Sequence, residues 1–212
     1  MFRKWIYLVL VLFVVGCSSG SGSIDVKSTM TKSLALKKIV FLGDSITQLG
    51  TYPAVVAKAF DATAINAGIS GQKVSAMLAR VDTDVIALHP DLCVLFAGTN
   101  DAYFGTPIAQ FQTDYDAVLG KLKAAKIPVV VVTPPHFAIG SNFQERDLNT
   151  SLVPVIAEIH AEATARNLTV ADVDNAAIPL NADGEHPNAE GQATIAAIVT
   201  AAIQSASSTG RY

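Results

Sequence analysis

Five short apolar runs, each followed by small or polar residues, constrain the fold of this chain more than any other feature. They cover residues 39–42, 63–66, 92–96, 128–133 and 168–173, and the second is the weakest. Short continuous apolar runs that end in turn residues are typical of strands buried on both faces of a parallel sheet. The sequence therefore predicts five such strands.

The segments between these runs have the apolar spacing of helices. Four such stripes occur, and the third continues through Pro154, which we expect to kink its helix. They consist of Val74, Met77, Leu78 and Val81; Phe111, Tyr115, Val118, Leu119 and Leu122; Leu148, Leu152, Val155, Ile156 and Ile159; and Ile195, Ile198, Val199, Ala202 and Ile203. This alternation predicts a single three-layer α/β/α domain with a five-stranded parallel sheet between its helices.

Candidate catalytic residues follow the first and the fifth run. Ser45 comes directly after the first run, and Asp183 and His186 lie three positions apart in a glycine-containing loop after the fifth. In open α/β sheets the site lies at the carboxyl ends of the strands. An aspartate at this spacing can hold the histidine Nδ1–H and stabilise the imidazolium that forms during acyl transfer. The sequence predicts Ser45 as nucleophile, His186 as base and Asp183 as the residue that orients it.

Acyl transfer also requires hydrogen-bond donors for an oxyanion. Three candidates occupy loops at the same edge: the backbone N–H of Ser45, the backbone N–H of Gly68 and the side-chain amide of Asn100. Each residue also has a simpler interpretation, since serine often caps a helix and asparagine often occupies turns. Asp44 is an equally good cap, which leaves Ser45 available for chemistry.

Four motifs resemble the four sequence blocks of the SGNH, or GDSL-type, hydrolase family. They are Gly-Asp-Ser-Ile-Thr at 43–47, Asn-Ala-Gly-Ile-Ser-Gly at 66–71, Gly-Thr-Asn-Asp at 98–101 and Asp-Gly-Glu-His-Pro-Asn at 183–188. The resemblance implies a flavodoxin-like sheet and the hydrolysis of carboxylic esters or thioesters without a cofactor. It implies catalytic roles for Ser45, His186 and Asp183 and oxyanion donors at Gly68 and Asn100. One departure is Ala67, which stands where the family often has arginine.

The substrate class stays open at this point. The resemblance extends both to lysophospholipase or acyl-thioesterase members and to O-acetyl carbohydrate esterases, so lipid and carbohydrate esters are both candidate small-molecule substrates. No obvious extra lid segment is present, which favours short acyl groups. A rival interpretation is a catalytically silent surface lipoprotein that binds a glycan or lipid, and the complete set of five site residues argues against it.

The N-terminus predicts a membrane anchor. Arg3 and Lys4 precede an apolar run at 5–15, which has the length of a signal-peptide core and is too short for a spanning helix. Gly16 and Cys17 follow, and then a Ser/Gly-rich stretch. This pattern resembles the lipobox of bacterial lipoproteins, in which signal peptidase II cleaves before a cysteine that becomes lipidated, although Val14 stands where leucine is more usual. An ordinary secretory signal is the alternative.

These patterns divide the chain into four parts. They are a signal peptide at 1–16, the lipidated Cys17 with its tether at 17–36, a hydrolase domain at 37–206 and a tail at 207–212. The expected location is the cell envelope, with the protein lipid-anchored to a membrane, which is the outer membrane if the cell is Gram-negative.

Composition and the remaining reactive residues exclude other function classes. The net charge of −3 and the lack of a basic stripe argue against nucleic acid as a partner. Cys93 lies within an apolar run and is expected to be a buried small hydrophobe. No histidine pairs with another histidine or cysteine at metal-ligand spacing, so we expect no metal. His136 follows the fourth run and is expected to be a loop histidine.

Overall fold

A five-stranded parallel sheet forms the centre of the protein, in a computed structural model that describes residues 35–138 and 148–212. Its order is β2-β1-β3-β4-β5. The strands are β1 Lys38–Gly43, β2 Thr63–Gly68, β3 Leu92–Phe96, β4 Val129–Val132 and β5 Thr169–Ala171. This is the flavodoxin-like order, and the predicted fold class is confirmed. Strand β2 extends two residues beyond its apolar run, whereas β4 and β5 are shorter than theirs.

Helices cover both faces of the sheet within the described ranges. They are α1 Ser45–Gln48, α2 Tyr52–Ala59, α3 Val74–Asp84, α4 Thr99–Tyr103, α5 Ile108–Ala124, α6 Leu148–Arg166 and α7 Ala189–Thr209. The four predicted stripes lie on α3, α5, α6 and α7, and α6 continues through Pro154. None of these helices is long and apolar enough to cross a bilayer.

Two apolar clusters form the core, one on each face of the sheet. Alternate residues of β1 divide between them: Val40 and Leu42 pack with α3, α5 and α6, whereas Ile39 and Phe41 pack with α2 and α7. Each fully buried side chain of this size contributes roughly 1.5–3 kcal/mol to folding. Cys93 belongs to the first cluster and is fully buried, as its apolar run predicts. Burial raises the pKa of its thiol to about 12.

Strand β2 corrects the expectation that every strand is buried on both faces. Thr63 and Asn66 are exposed, and only Gly68 at the end of the strand is fully buried. The cause is the strand order, because β2 lies at one edge of the sheet and pairs with β1. Helices on the two faces cover an edge strand less completely than a central one.

The register of the strands brings three loops to one edge. Gly43 at the end of β1 stands opposite Gly68 of β2 and Phe96 of β3. The chain therefore leaves these three strands at the same level. The segments that contain Ser45, Ile69 and Asn100 start side by side.

The predicted signal peptide, Cys17 and nearly all of the tether lie outside the described residues. The four-part division of the chain at 1–16, 17–36, 37–206 and 207–212 therefore stays a prediction.

Candidate active site

Ser45, His186 and Asp183 form a continuous hydrogen-bonded chain at the carboxyl edge of the sheet. Ser45 Oγ lies 2.9 Å from Nε2 of His186. The other ring nitrogen, Nδ1, lies 2.9 Å from Oδ2 of Asp183. The structure thus brings together all three residues that the sequence predicts for the triad. The first distance suits proton transfer from the serine hydroxyl to the imidazole. The second suits the hydrogen bond by which an ionised carboxylate orients the ring.

The local sequence around Ser45 explains how its hydroxyl becomes available. Asp44 is the N-cap of α1, and its Oδ1 accepts a hydrogen bond from the backbone N–H of Ile46 at 3.0 Å. Ser45 is therefore not needed as the cap, and its side chain faces the imidazole instead. As the first residue of α1, Ser45 also has a backbone N–H without an intrahelical acceptor. Only 6% of the residue is exposed.

Hydrogen bonds from backbone N–H groups hold the loop that carries Asp183 and His186. Asp183 Oδ1 accepts from the N–H groups of Glu185 and His186, each at 2.9 Å. The N–H of Asn181 donates to the carbonyl of His186 at 2.8 Å, and the N–H of Ala138 donates to that of Gly184. Asp183 therefore uses one oxygen to shape the loop and the other to orient the imidazole.

The surroundings of Asp183 and Glu185, the two carboxyl groups in this loop, shift their pKa values. Partial burial raises the pKa of Asp183, but the two backbone N–H donors and the imidazole outweigh it, so the pKa lies below its ordinary value. Asp183 is consequently ionised at neutral pH. Burial raises the pKa of Glu185 above its usual range, and the charge of His186 partly opposes this.

Asn100 lies beside the nucleophile and is anchored by Asp44. Its Nδ2 donates to Asp44 Oδ2 at 3.2 Å, and both residues are buried. An amide nitrogen carries two hydrogens, so this contact orients the group and leaves a second donor for a ligand. Burial raises the pKa of Asp44 to about 6, although the Ile46 N–H partly opposes the shift.

The sequence predicts that the backbone N–H of Gly68 binds an oxyanion, but in the structure this N–H has another partner. The N–H donates to Oδ1 of Asn66 at 3.0 Å. A Cβ on Gly68 would lie 2.3 Å from the backbone nitrogen of Gln48 and 2.8 Å from the carbonyl of Asp44. Glycine is required here because the end of β2 packs directly against the nucleophile segment, a close approach that any side chain would prevent.

Two amide side chains that the sequence analysis did not single out join α1 to the end of β2 and to the loop after it. Asn66 Nδ2 donates to the carbonyl of Thr47 at 2.7 Å. Gln48 Oε1 accepts from the backbone N–H and the hydroxyl of Ser70, at 2.8 and 2.5 Å. Asn66 lies inside the motif at 66–71 and Gln48 directly follows the motif at 43–47, but their partners depend on the pairing of β1 with β2.

Gly71 lies three residues after Gly68 in the same loop. Its φ is +74°, a region that L side chains rarely adopt. Apart from Gly71 and its two chain neighbours, no heavy atom of the described residues lies within 4 Å of the point where its Cβ would stand. The backbone of Gly71 is thus approachable from the side where a side chain would project.

Two further histidines lie in the loop after β4 and on α6. His136 is exposed in the loop after β4. His160 Nε2 lies 3.2 Å from Oδ1 of Asp172, and Asp174 completes a group whose candidate ligand atoms all lie within 4.8 Å of one another. Among the described residues this is the group that could hold a metal ion, and it was not foreseen because its members come from α6 and the segment after β5. The expectation of no metal stays a prediction.

Comparison with known proteins agrees with this geometry. The sequence model of the family described as "GDSL-like Lipase/Acylhydrolase family" matches residues 41–194, most of the chain. A relative described as an arylesterase of Vibrio mimicus is 27% identical, over 79% of this chain and 88% of that protein.

Two solved structures illustrate the similarity of fold. A lipase/acylhydrolase from Enterococcus faecalis has a TM-score of 0.70 and 25% identity, and the match covers 82% of this chain and 96% of that one. An acetyl xylan esterase has a TM-score of 0.66 and 28% identity, over 78% of this chain and 98% of that one.

Proposed function

This chain belongs to the GDSL-like lipase/acylhydrolase family and is an ester-hydrolysing serine hydrolase, and we propose that Ser45, His186 and Asp183 carry out its reaction. The observation that carries the assignment is the pair of 2.9 Å contacts that joins the three side chains. Family membership also favours an enzyme over the rival interpretation of a silent binding protein.

The reaction proceeds in two acyl transfers. His186 Nε2 takes the proton from Ser45 Oγ as the oxygen attacks the ester carbonyl, and the imidazolium then protonates the departing alcohol. An acyl group is left on Ser45. His186 next deprotonates a water molecule, which attacks this acyl-enzyme, and the proton returns to Ser45 as the acid leaves. The lowered pKa of Asp183 keeps it ionised while the imidazolium forms.

Three donors are assigned to the oxyanion of each tetrahedral intermediate. Two are those expected from the sequence, the backbone N–H of Ser45 and Nδ2 of Asn100. For the third we assign the backbone N–H of Gly71 in place of Gly68, whose N–H is engaged by Asn66. The open surroundings and positive φ of Gly71 support this choice, since a substrate can approach its backbone closely.

The proposed substrate is an ester of a short acyl group. The likeness to an acetyl xylan esterase, at 28% identity, supports it, as does the likeness to an arylesterase. Acetyl esters of carbohydrates or of aromatic alcohols are the corresponding small-molecule substrates.

A second candidate, hydrolysis of longer acyl lipids, is favoured by one structural feature. Leu49, Ile69 and Phe104 are large apolar residues that are 70%, 39% and 53% exposed. They directly follow α1, β2 and α4, the elements that carry the candidate site. A profile of p-nitrophenyl esters from acetyl to octanoyl decides between the two. Preference for acetyl supports the first candidate, and preference for octanoyl supports the second.

The membrane anchor is part of the proposal. Cleavage before Cys17 and lipidation of that residue would place the hydrolase in the cell envelope, on a tether that ends near residue 36. The charge, apolar run, cysteine and Ser/Gly-rich stretch at the N-terminus support it. Detergent phase partitioning of the protein from cells tests it: the full chain should enter the detergent phase, and Cys17→Ser should remain in the aqueous phase.

A fluorophosphonate probe tests the assignment of the nucleophile. The probe should label the purified domain, and mass spectrometry should place the adduct on the peptide that contains Ser45. A folded domain without this adduct would contradict the assignment.

A further inference from the structure

The side chain of Arg80 joins two of the segments that form the candidate site. Arg80 lies on α3, and only 12% of its side chain is exposed. Its Nε donates to Gln72 Oε1 at 2.6 Å, and its Nη2 donates to the carbonyl of Gly43 at 3.1 Å. The remaining nitrogen, Nη1, donates to Asp84 at 2.9 Å. One planar guanidinium thus contacts three separate parts of the chain.

Gly43 is the last residue of β1 and stands two positions before Ser45. Its carbonyl also accepts from the backbone N–H of Ile69 at 3.0 Å, in the loop after β2. This single carbonyl is therefore held both by that loop and by Arg80. Because the Gly43–Asp44 peptide leads directly into α1, its orientation affects where the Ser45 hydroxyl stands.

Gln72 is the residue after Gly71. On the other side of Gly71, Ser70 is bound to Gln48 through its N–H and its hydroxyl. The loop is consequently held on both sides of Gly71, by α1 through Gln48 and by α3 through Arg80.

We propose that Arg80 is a positioning residue, which holds the Gly71 segment against the end of β1 and so fixes the distance between nucleophile and oxyanion donor. This inference rests on the proposed function. A lysine could not reproduce the contacts, since an ammonium lacks the planar fork that reaches Gln72 and Gly43 together. If Arg80 served only to pair with Asp84, its contacts with Gln72 and Gly43 would not be needed.

The test compares Arg80→Met with Arg166→Met. Arg166 is a matched control because it is also largely buried, with 19% of its side chain exposed, and forms ion pairs with Glu162 on α6 and Asp116 on α5. It is the last residue of α6 and precedes the start of β5, whereas Ser45 follows the carboxyl end of β1. Each variant is titrated with the fluorophosphonate so that kcat refers to functional sites. Hydrogen–deuterium exchange is measured on the peptide that covers residues 66–73.

Arg80→Met should lower kcat per titrated site on the order of 10- to 10²-fold, with a much smaller change in KM, because a displaced donor weakens transition-state binding. Exchange at 66–73 should accelerate. Arg166→Met should reduce thermal stability without either effect. Wild-type kcat and wild-type exchange in Arg80→Met would overturn the inference and leave Arg80 with a structural role only.

Gln72→Ala keeps the test decisive if Arg80→Met does not fold. This variant leaves the contacts of Arg80 with Gly43 and Asp84, and should show the same two changes to a smaller extent. Unchanged kcat and exchange in Gln72→Ala would again contradict the inference. A wild-type protein without esterase activity would instead refute the proposed function, while the exchange data would still report whether Arg80 holds the loop.

Discussion

Asn100 Nδ2 donates to the buried carboxylate of Asp44 over 3.2 Å, across 56 positions of sequence. The residue directly before the nucleophile therefore orients the side chain proposed to bind the oxyanion. Asp44 also caps α1 through its other oxygen. One buried carboxylate thus links the position of Ser45 to the position of its proposed donor.

Replacing Asn100 with alanine removes a side-chain donor while leaving the triad in place. We expect kcat for p-nitrophenyl acetate to fall on the order of 10²–10³-fold, with little change in KM, because the donor acts mainly on the tetrahedral intermediate. The exposed Asn175→Ala is the control and should behave like wild type. Equal kinetics of the two variants would contradict the role of Asn100.

Asp183→Asn replaces the orienting carboxylate by a neutral amide of the same shape. It should lower kcat by roughly 10³–10⁴-fold, because the imidazolium loses its counter-charge and Nδ1 loses an acceptor that fixes the tautomer. Steady-state kinetics at pH 7.5 measure this. Glu185→Gln changes the neighbouring carboxyl, whose position two residues later in the loop does not place it on Nδ1, and should retain most of the activity. A comparable loss of kcat in both variants would contradict this role, because the negative charge of the loop, and not the contact of Asp183 with Nδ1, would then support the activity.

Gly68→Ala and Gly71→Ala should affect stability differently. A methyl group at Gly68 would meet backbone atoms of Gln48 and Asp44, so we expect a loss of roughly 2–3 kcal/mol in the free energy of unfolding or failure to fold. At Gly71 the space is open and only the positive φ is unfavourable, at a cost of roughly 1 kcal/mol. Urea unfolding measures both. A greater loss at Gly71 would contradict the close packing of Gly68.

Asp44 makes the stability of the protein depend on pH. Its pKa rises on folding from 3.8 to about 6, so the folded state binds the additional proton between these values. Its contribution to stability is complete below pH 4 and is lost as pH rises through 6, by about 3 kcal/mol. Asp183 has the opposite effect on stability, because its pKa is lowered on folding. Its contribution is present above pH 4 and is lost as the pH falls below that value.

Comparison with Asp44→Asn isolates this contribution. Between pH 4 and pH 7.5 the free energy of unfolding should fall further in the wild type than in the variant, as measured by urea titration at both pH values. Parallel pH dependence in the two proteins would show that Asp44 does not titrate in this range.

Much of the fold and the triad could be predicted because local patterns encode them. The run at 92–96 coincides with β3, the motif that contains Ser45 directly follows β1, and the motif that contains His186 lies between β5 and α7. Parallel strands bring the segments that follow them to one edge of the sheet. The exposure of β2 could not be predicted, since it follows from the order of the strands. The partner of the Gly68 N–H depends on the conformation of Asn66, and the partners of Arg80 depend on how α3 packs against the end of β1.

The most direct test of the account is the pre-steady-state hydrolysis of p-nitrophenyl acetate by Ser45→Ala beside the wild-type domain. The wild type should turn over through an acyl-enzyme on Ser45, which mass spectrometry of an acid-quenched reaction should detect. Ser45→Ala should keep the circular dichroism spectrum and thermal midpoint of a folded protein while losing both turnover and the acyl adduct. Wild-type turnover by a folded Ser45→Ala would contradict the proposed mechanism.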